Sequence, residues 1–256
     1  MIDKRSAKRF NHLAEHFLTS EVHRTSPTIG LLHRLLENDW MDSICDVACG
    51  AGHLGISFSG RAKYLVGVDP SERMLENFVK LANEKKIPSK AVQDYAENIS
   101  LSDSSFDLVT SRLAAHHFYD IQLAVKEMAR IAKKEGKVAI IDLEGYEDVE
   151  LDETNHQLET IHDPTHVRSY TAKEWQGFFN KAGLKNVSVY RGLCEFPSGL
   201  ATHRWCEIAD SGAGANDRIK KVISQLPQTQ LEEMNITERN GEFYLSINTL
   251  LIIGQK

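Results

Sequence analysis

The stretch from Asp46 to Gly55, DVACGAGHLG, carries the sharpest chemical pattern in the chain. Its glycines at 50, 52 and 55 match G-x-G-x-x-G, a spacing that lets a ligand approach bare backbone where a strand turns into a helix. Asp69 follows nineteen residues after Gly50, at the end of a second apolar run, where a carboxylate accepts hydrogen bonds from both hydroxyls of a ribose. Either feature alone is weak, and together they imply a ligand built on a nucleoside. Asp46 then discriminates among nucleosides, because a carboxylate just before the glycine turn repels a pyrophosphate and favours an ammonium. S-adenosyl-L-methionine carries an ammonium, a sulfonium and no phosphate, so the charge pattern favours it over NAD.

Two adjacent histidines, His116 and His117, follow the apolar run SFDLVTS. A histidine is more often structural than catalytic, but ligands of open α/β sheets sit outside the carboxyl ends of the strands. A neutral imidazole there takes the proton of an O–H or N–H group. His116, His117, Asp163 and His166 lack any recognised ligand spacing, so no metal is expected. Asp163 and Arg168 flank a turn at Pro164 and are expected to pair with each other.

Apolar runs alternate with helical patterns from Ile44 onward, which argues for a parallel sheet. SICDVA, YLVGVD, SKAVQDY, SFDLVTS and KVAIID read as five successive strands. Ser71 caps a helix whose apolar face is Met74, Leu75, Phe78, Val79 and Ala82. A further helix runs from about Ile121 to Lys134, with Gly136 expected to end it. Beyond Glu144 comes a polar helical excursion to about His162, then a capping box at Thr171 and Glu174 before Trp175, Phe178 and Phe179. NVSVYRGLCEF and YLSINTLLIIGQK are the last two strands, and the segment between them reads as a helical insertion able to act as a lid. Near the start, Phe10, Leu13, Ala14, Phe17 and Leu18 mark an amphipathic helix.

In their order and spacing, DVACGAGHLG, GVDPSERML, AENISLSDSSFDLVTSRLAAHHF and ARIAKKEGKVAIID resemble class I S-adenosylmethionine-dependent methyltransferases of the ubiquinone/menaquinone-methyltransferase-like type 11 group. The resemblance spans roughly residues 40–145. It implies a Rossmann-like, doubly wound α/β fold: a mostly parallel seven-stranded sheet with an antiparallel last strand, an N-terminal helical cap and a helical insertion. One domain would span 1–256, with the cap at 1–40, the cofactor core at 41–145 and acceptor-side segments at 146–256. The turn from Cys49 through Gly50 to Gly52 would contact the methionine portion, Asp46 its amino group and Asp69 the ribose. Pro70 and Met74 would flank the adenine, with Ser111 and Arg112 beside the cofactor. Tyr95 stands where the family shows an aspartate, which leaves two readings of adenine recognition: Asp94 by one residue's shift, or the Ala96 amide. His116 and His117 fall where the acceptor meets the methyl group. Ser20, Glu21 and His23 after the first helix, and His166 and Arg168 in HDPTHVRSYTAKEW, are the candidate acceptor contacts.

Composition narrows the partners. Thirty basic against 36 acidic residues give a net charge of -6, which counts against nucleic acid. From Glu144 to Asp163 there are eight carboxylates and no Lys or Arg, read as a solvated helix face or as a field steering a cationic acceptor. Cys45, Cys49, Cys194 and Cys206 lie outside C-x-x-C spacing and read as reduced thiols. With no signal-peptide pattern and no membrane-length apolar run, a cytoplasmic enzyme is expected, without stable membrane insertion, as a monomer or homodimer. The expected activity is methyl transfer to a small-molecule acceptor. The alternatives are a quinone-ring C-methyltransferase, an RNA or protein methyltransferase, and a non-catalytic S-adenosylmethionine-binding protein.

Overall fold

The computed structural model describes residues 5–19 and 26–256, with residues 16–19 described by their backbone alone. Five parallel strands build the centre of the sheet: β1 (Ser43–Val47), β2 (Tyr64–Val68), β3 (Ser89–Val92), β4 (Phe106–Arg112) and β5 (Ala132–Leu143). β6 (Lys185–Ala201) and β8 (Glu242–Gln255) complete the order β3-β2-β1-β4-β5-β8-β6, with β8 antiparallel to both neighbours. The chain thus reverses direction once inside an otherwise parallel sheet. A short additional strand, β7 (Ile236–Arg239), hairpins onto the start of β8. The sequence reading did not anticipate this strand.

Alternation along the strands sorts side chains onto two faces. Cys45, Val109, Val138 and Ile140 pack with Val125, Met128, Trp175 and Phe179 on one side. Ile44, Leu108, Ala139 and Ile141 pack with Leu32, Phe58 and Phe78 on the other. The helices supplying these contacts are α2 (Pro27–Leu35), α3 (His53–Ser57), α4 (Glu72–Glu84), α5 (Ile121–Ile131) and α7 (Ala172–Lys181). Ser71 caps α4 through Met74 N, and both hydrogen bonds of the Thr171–Glu174 capping box are present at α7. Over the carboxyl ends of the strands lie α1 (Arg5–Thr19), α6 (Val149–His162) and the insertion formed by α8 (Thr202–Ala209), α9 (Ala215–Ile223) and α10 (Gln228–Glu233). Leu151, Leu158, Trp205, Ile219 and Met234 give this layer its own apolar core.

Gly136 does not cap α5. The helix ends at Ile131, Ala132 already pairs with Phe106, and the next register pair is Leu108 with Lys137. The extra residues between these pairs bulge out of β5, and a Cβ on Gly136 would meet the Lys133 and Phe106 carbonyl oxygens at 2.9 Å. The glycine therefore serves a strand irregularity at a point where two backbones approach closely.

Candidate active site

The glycine turn forms because β1 must pass into α3 directly beneath α4. Gly52 has φ +89°, and a Cβ there would lie 2.5 Å from the Phe78 ring, so no other residue fits. Gly52 is structural and does not line the cleft formed by this turn. That cleft, partly open to solvent, has about 1040 Å³ of free space at the carboxyl ends of β1, β2 and β4. Asp46, Cys49, Gly50, Asp69, Pro70, Met74, Ala96, Arg112 and His117 line it, all of them residues named from the sequence.

Two carboxylates define its polar wall. Asp69 accepts hydrogen bonds from Gly50 N at 2.9 Å and Ser71 N at 2.8 Å, so both oxygens are fixed in orientation and each keeps a lone pair. Burial pushes its pKa up to about 6 against these two amides. Asp46 accepts from Gly55 N and Thr110 Oγ1, each at 2.9 Å, and burial carries its pKa up to about 7. Arg112, also buried, faces Glu195 at 3.6 Å, and Glu195 accepts from Ser26 Oγ at 2.8 Å and Thr28 Oγ1 at 2.6 Å.

Other candidates lie elsewhere. Asp94 is engaged by Ser100 N and Oγ and does not line the cleft, whereas Tyr95 and Ala96 do. Ser111 is buried and its hydroxyl has no hydrogen-bond partner among the described residues. Arg168 pairs with Glu174 at 3.0 Å and covers the Tyr170 ring, outside the cleft. The expected Asp163–Arg168 pair does not form. Asp163 is taken by Arg9 of α1 at 2.9 Å and by Thr165, because α1 lies across the loop and brings its guanidinium closer. Ser20, Glu21 and His23 lie outside the described residues.

A second chamber, partly open to solvent and with about 770 Å³ of free space, adjoins the cleft, and Phe10, Leu113 and His117 line both. Its other walls include Leu13, His116, Glu159, His162, His166 and Trp205. His116 and His117 stand on a single 3-10 turn, Ala115–His117, after β4, with ring centroids 4.1 Å apart. His116 Nδ1 lies 2.5 Å from Asp142 Oδ1, and Asp142 is itself oriented by the amides of Ala114, Ala115 and Leu143. Burial disfavours a charged His116 ring, yet the Asp142 carboxylate outweighs it and raises the pKa. His117 differs: its Nδ1–H donates to the Thr165 carbonyl at 3.0 Å, and burial drives its pKa down to about 4.

Sequence reasoning missed Asp142, Glu159 and Glu195. Asp142 stood at the end of the fifth strand, as Asp69 does at the second. Glu159 shares a helical face with Leu151 and Leu158, a spacing that places it inward. Glu195 had no such signal, since its partners Ser26 and Thr28 are remote in sequence.

An open, mostly parallel sheet with one antiparallel strand, a nucleoside-type aspartate after β2 and a side chamber at the end of β4 define the Rossmann-like methyltransferase class. Residues 45–140 match the methyltransferase domain family. The uncharacterised methyltransferase YcgJ of Bacillus subtilis is 32% identical over 218 residues, covering 85% of this chain and 83% of YcgJ. The YcgJ crystal structure superposes with a TM-score of 0.80 at 29% identity, covering 90% of this chain and 97% of that one. The ubiquinone/menaquinone C-methyltransferase UbiE of Rickettsia prowazekii is 30% identical over 130 residues, 43% of this chain and 51% of UbiE. The chain belongs to the S-adenosylmethionine-dependent methyltransferases.

Proposed function

We propose that the protein methylates a small molecule held in the second chamber, using S-adenosyl-L-methionine bound in the cleft. The observation that carries this reading is the shared wall of Phe10, Leu113 and His117, across which a ligand in one cavity faces a ligand in the other. The cleft suits the cofactor: Asp69 keeps one lone pair on each oxygen for the ribose hydroxyls, and the glycine turn leaves Gly50 open to the ligand. Asp46 adds negative charge on the methionine side. Bound there, S-adenosylmethionine supplies an electrophilic methyl group on a sulfonium.

Asp142 holds the His116 Nδ1–H, which leaves Nε2 to take the proton released by an O–H or N–H acceptor. His117, fixed by its bond to Thr165, stands in the wall that the two cavities share, with Phe10 and Leu113 as its apolar part. Positioning there contributes to the acceleration beside the base. A chamber of this volume suits a small acceptor better than a macromolecule. UbiE aligns over less than half of this chain, which weakens the case for carrying its quinone acceptor over.

Isothermal titration with S-adenosylmethionine, S-adenosylhomocysteine and NAD tests the cofactor assignment. The two sulfur nucleosides should bind and NAD should not, while Asp69→Ala should lose binding by on the order of tenfold or more, as expected for two hydrogen bonds to a charged acceptor. Unchanged affinity in Asp69→Ala, or binding of NAD alone, would overturn it.

A further inference from the structure

Among the described residues, three carboxylates around the chamber have partners: Asp142 the His116 ring, Asp163 the Arg9 guanidinium and Glu195 the Arg112 guanidinium. Glu159 has no such partner among them. It lines the chamber beside Trp205 and Ile247, is only 7% exposed, and receives no hydrogen bond from any described residue. The charged groups facing it are His116, which favours its anion, and Asp163 and Asp142, which oppose it. Burial is the largest influence and raises its pKa to about 7.

Neighbouring polar atoms are likewise unsatisfied. Both ring nitrogens of His166 and Nδ1 of His162 are buried without a partner. Burial keeps both rings neutral, with pKa values down to about 2 and about 3, so neither supplies the missing positive charge. A carboxylate buried against apolar walls is unfavourable unless a partner neutralises it, and no described residue donates a hydrogen bond to Glu159. A hydroxyl would give Glu159 one hydrogen bond and leave its charge unmatched, whereas an ammonium supplies three donors and the charge. The same helix belongs to the 144–163 segment, rich in carboxylates and without Lys or Arg, a charge pattern that favours a cationic partner.

We propose that Glu159 is the recognition carboxylate of the acceptor site and receives a protonated amine, carried on an apolar or aromatic body enclosed by Phe196, Trp205 and Ile208. This deepens the methyl-transfer reading and rests on it.

The test uses the full chain saturated with S-adenosylhomocysteine and two matched sets of probes: phenethylamine, phenethyl alcohol and phenylacetate, then hexylamine, hexanol and hexanoate. By calorimetry, an amine should bind at least about tenfold more tightly than its alcohol and acid counterparts, the scale of one charge-assisted hydrogen-bonded pair. Glu159→Gln should remove that preference while S-adenosylhomocysteine affinity stays unchanged and the thermal midpoint does not fall, which shows that the variant is folded. Amine binding to the unsubstituted protein should tighten as pH rises toward 7 and flatten in Glu159→Gln. The proposal is overturned if neither amine binds, if alcohol or acid binds equally well, or if Glu159→Gln keeps the preference. Failure of S-adenosylhomocysteine to bind would instead defeat the cofactor assignment, and the same probes titrated into ligand-free protein would still decide the role of Glu159.

Discussion

The two histidines on one turn have opposite electrostatics because only His116 is hydrogen-bonded to a carboxylate. Asp142 lies 2.5 Å from His116, whereas His117 has a neutral carbonyl partner. Replacing Asp142 by Asn removes the charge that raises the His116 pKa, so burial then prevails. Nitrogen-detected NMR titration should show the His116 pKa falling below its ordinary value of about 6.5 in Asp142→Asn. A pKa that stays put would show that the contact does not govern the ring. With any acceptor that turns over, the same substitution should lower kcat by on the order of a hundredfold or more, the usual contribution of an oriented general base. Strand-end position made Asp46, Asp69 and both histidines legible from sequence. The pairing of Asp142 with His116 was not, because it depends on β4 and β5 being neighbours. The mistaken Asp163–Arg168 pair fails for the same reason, since proximity in sequence says nothing of the guanidinium that α1 delivers.

Elements were most legible where local signals repeat a structural period. The glycine turn, the Ser71 cap and the Thr171–Glu174 box all form as their residue types require. The bulge at Gly136 was not legible, because a glycine after a helical pattern serves equally as a cap and as a close approach of two backbones. The β7 hairpin escaped notice because four residues of which only Ile236 is buried show no alternation. The capping box makes a quantitative claim about α7, which carries Trp175 and Phe179 into the core. Thr171→Ala removes the bond to Glu174 N and should destabilise the protein by about 1 kcal/mol, the typical cost of a lost N-cap. Urea unfolding monitored by circular dichroism reads this as a lower midpoint at unchanged slope. Affinity for S-adenosylhomocysteine should not change, because α7 does not line the cleft. A midpoint equal to that of the unsubstituted protein would show that the cap adds nothing beyond the core packing.

At the scale of the whole molecule, buried ionisable groups set how stability depends on pH. His117, His162 and His166 are held neutral, at about 4, about 3 and about 2, chiefly by burial. Below their ordinary value the unfolded chain protonates these rings and the folded chain does not, so they destabilise the fold as pH falls. Asp46, Asp69 and Glu159 are pushed the other way, to about 7, about 6 and about 7. The folded chain keeps these protons after the unfolded chain has lost them, so they stabilise the fold as pH falls toward the ordinary carboxyl range. The two groups oppose each other between about pH 4.5 and 6, where stability should be nearly flat. Below about pH 4 both states carry protonated carboxyls at the three raised positions, so the histidines still act, joined by carboxylates held below their ordinary range, Asp142, Glu242 and Asp163 among them. Burial opposes the Asp163 anion, but His117, Thr165 and Arg9 hold its pKa down to about 2, so its stabilisation is lost as pH falls through that value. Stability should therefore drop steeply under acid. S-adenosylmethionine reverses part of this balance, because an ammonium beside Asp46 and ribose hydroxyls on Asp69 both favour charged carboxylates. Its stabilising effect should be larger near pH 8 than near pH 5.5, in line with ligand binding that expels protons. Scanning fluorimetry across this range, with and without ligand, reads both effects in one series. A ligand-induced shift in Tm that grows toward acid would contradict the assignment of these two aspartates to the cofactor.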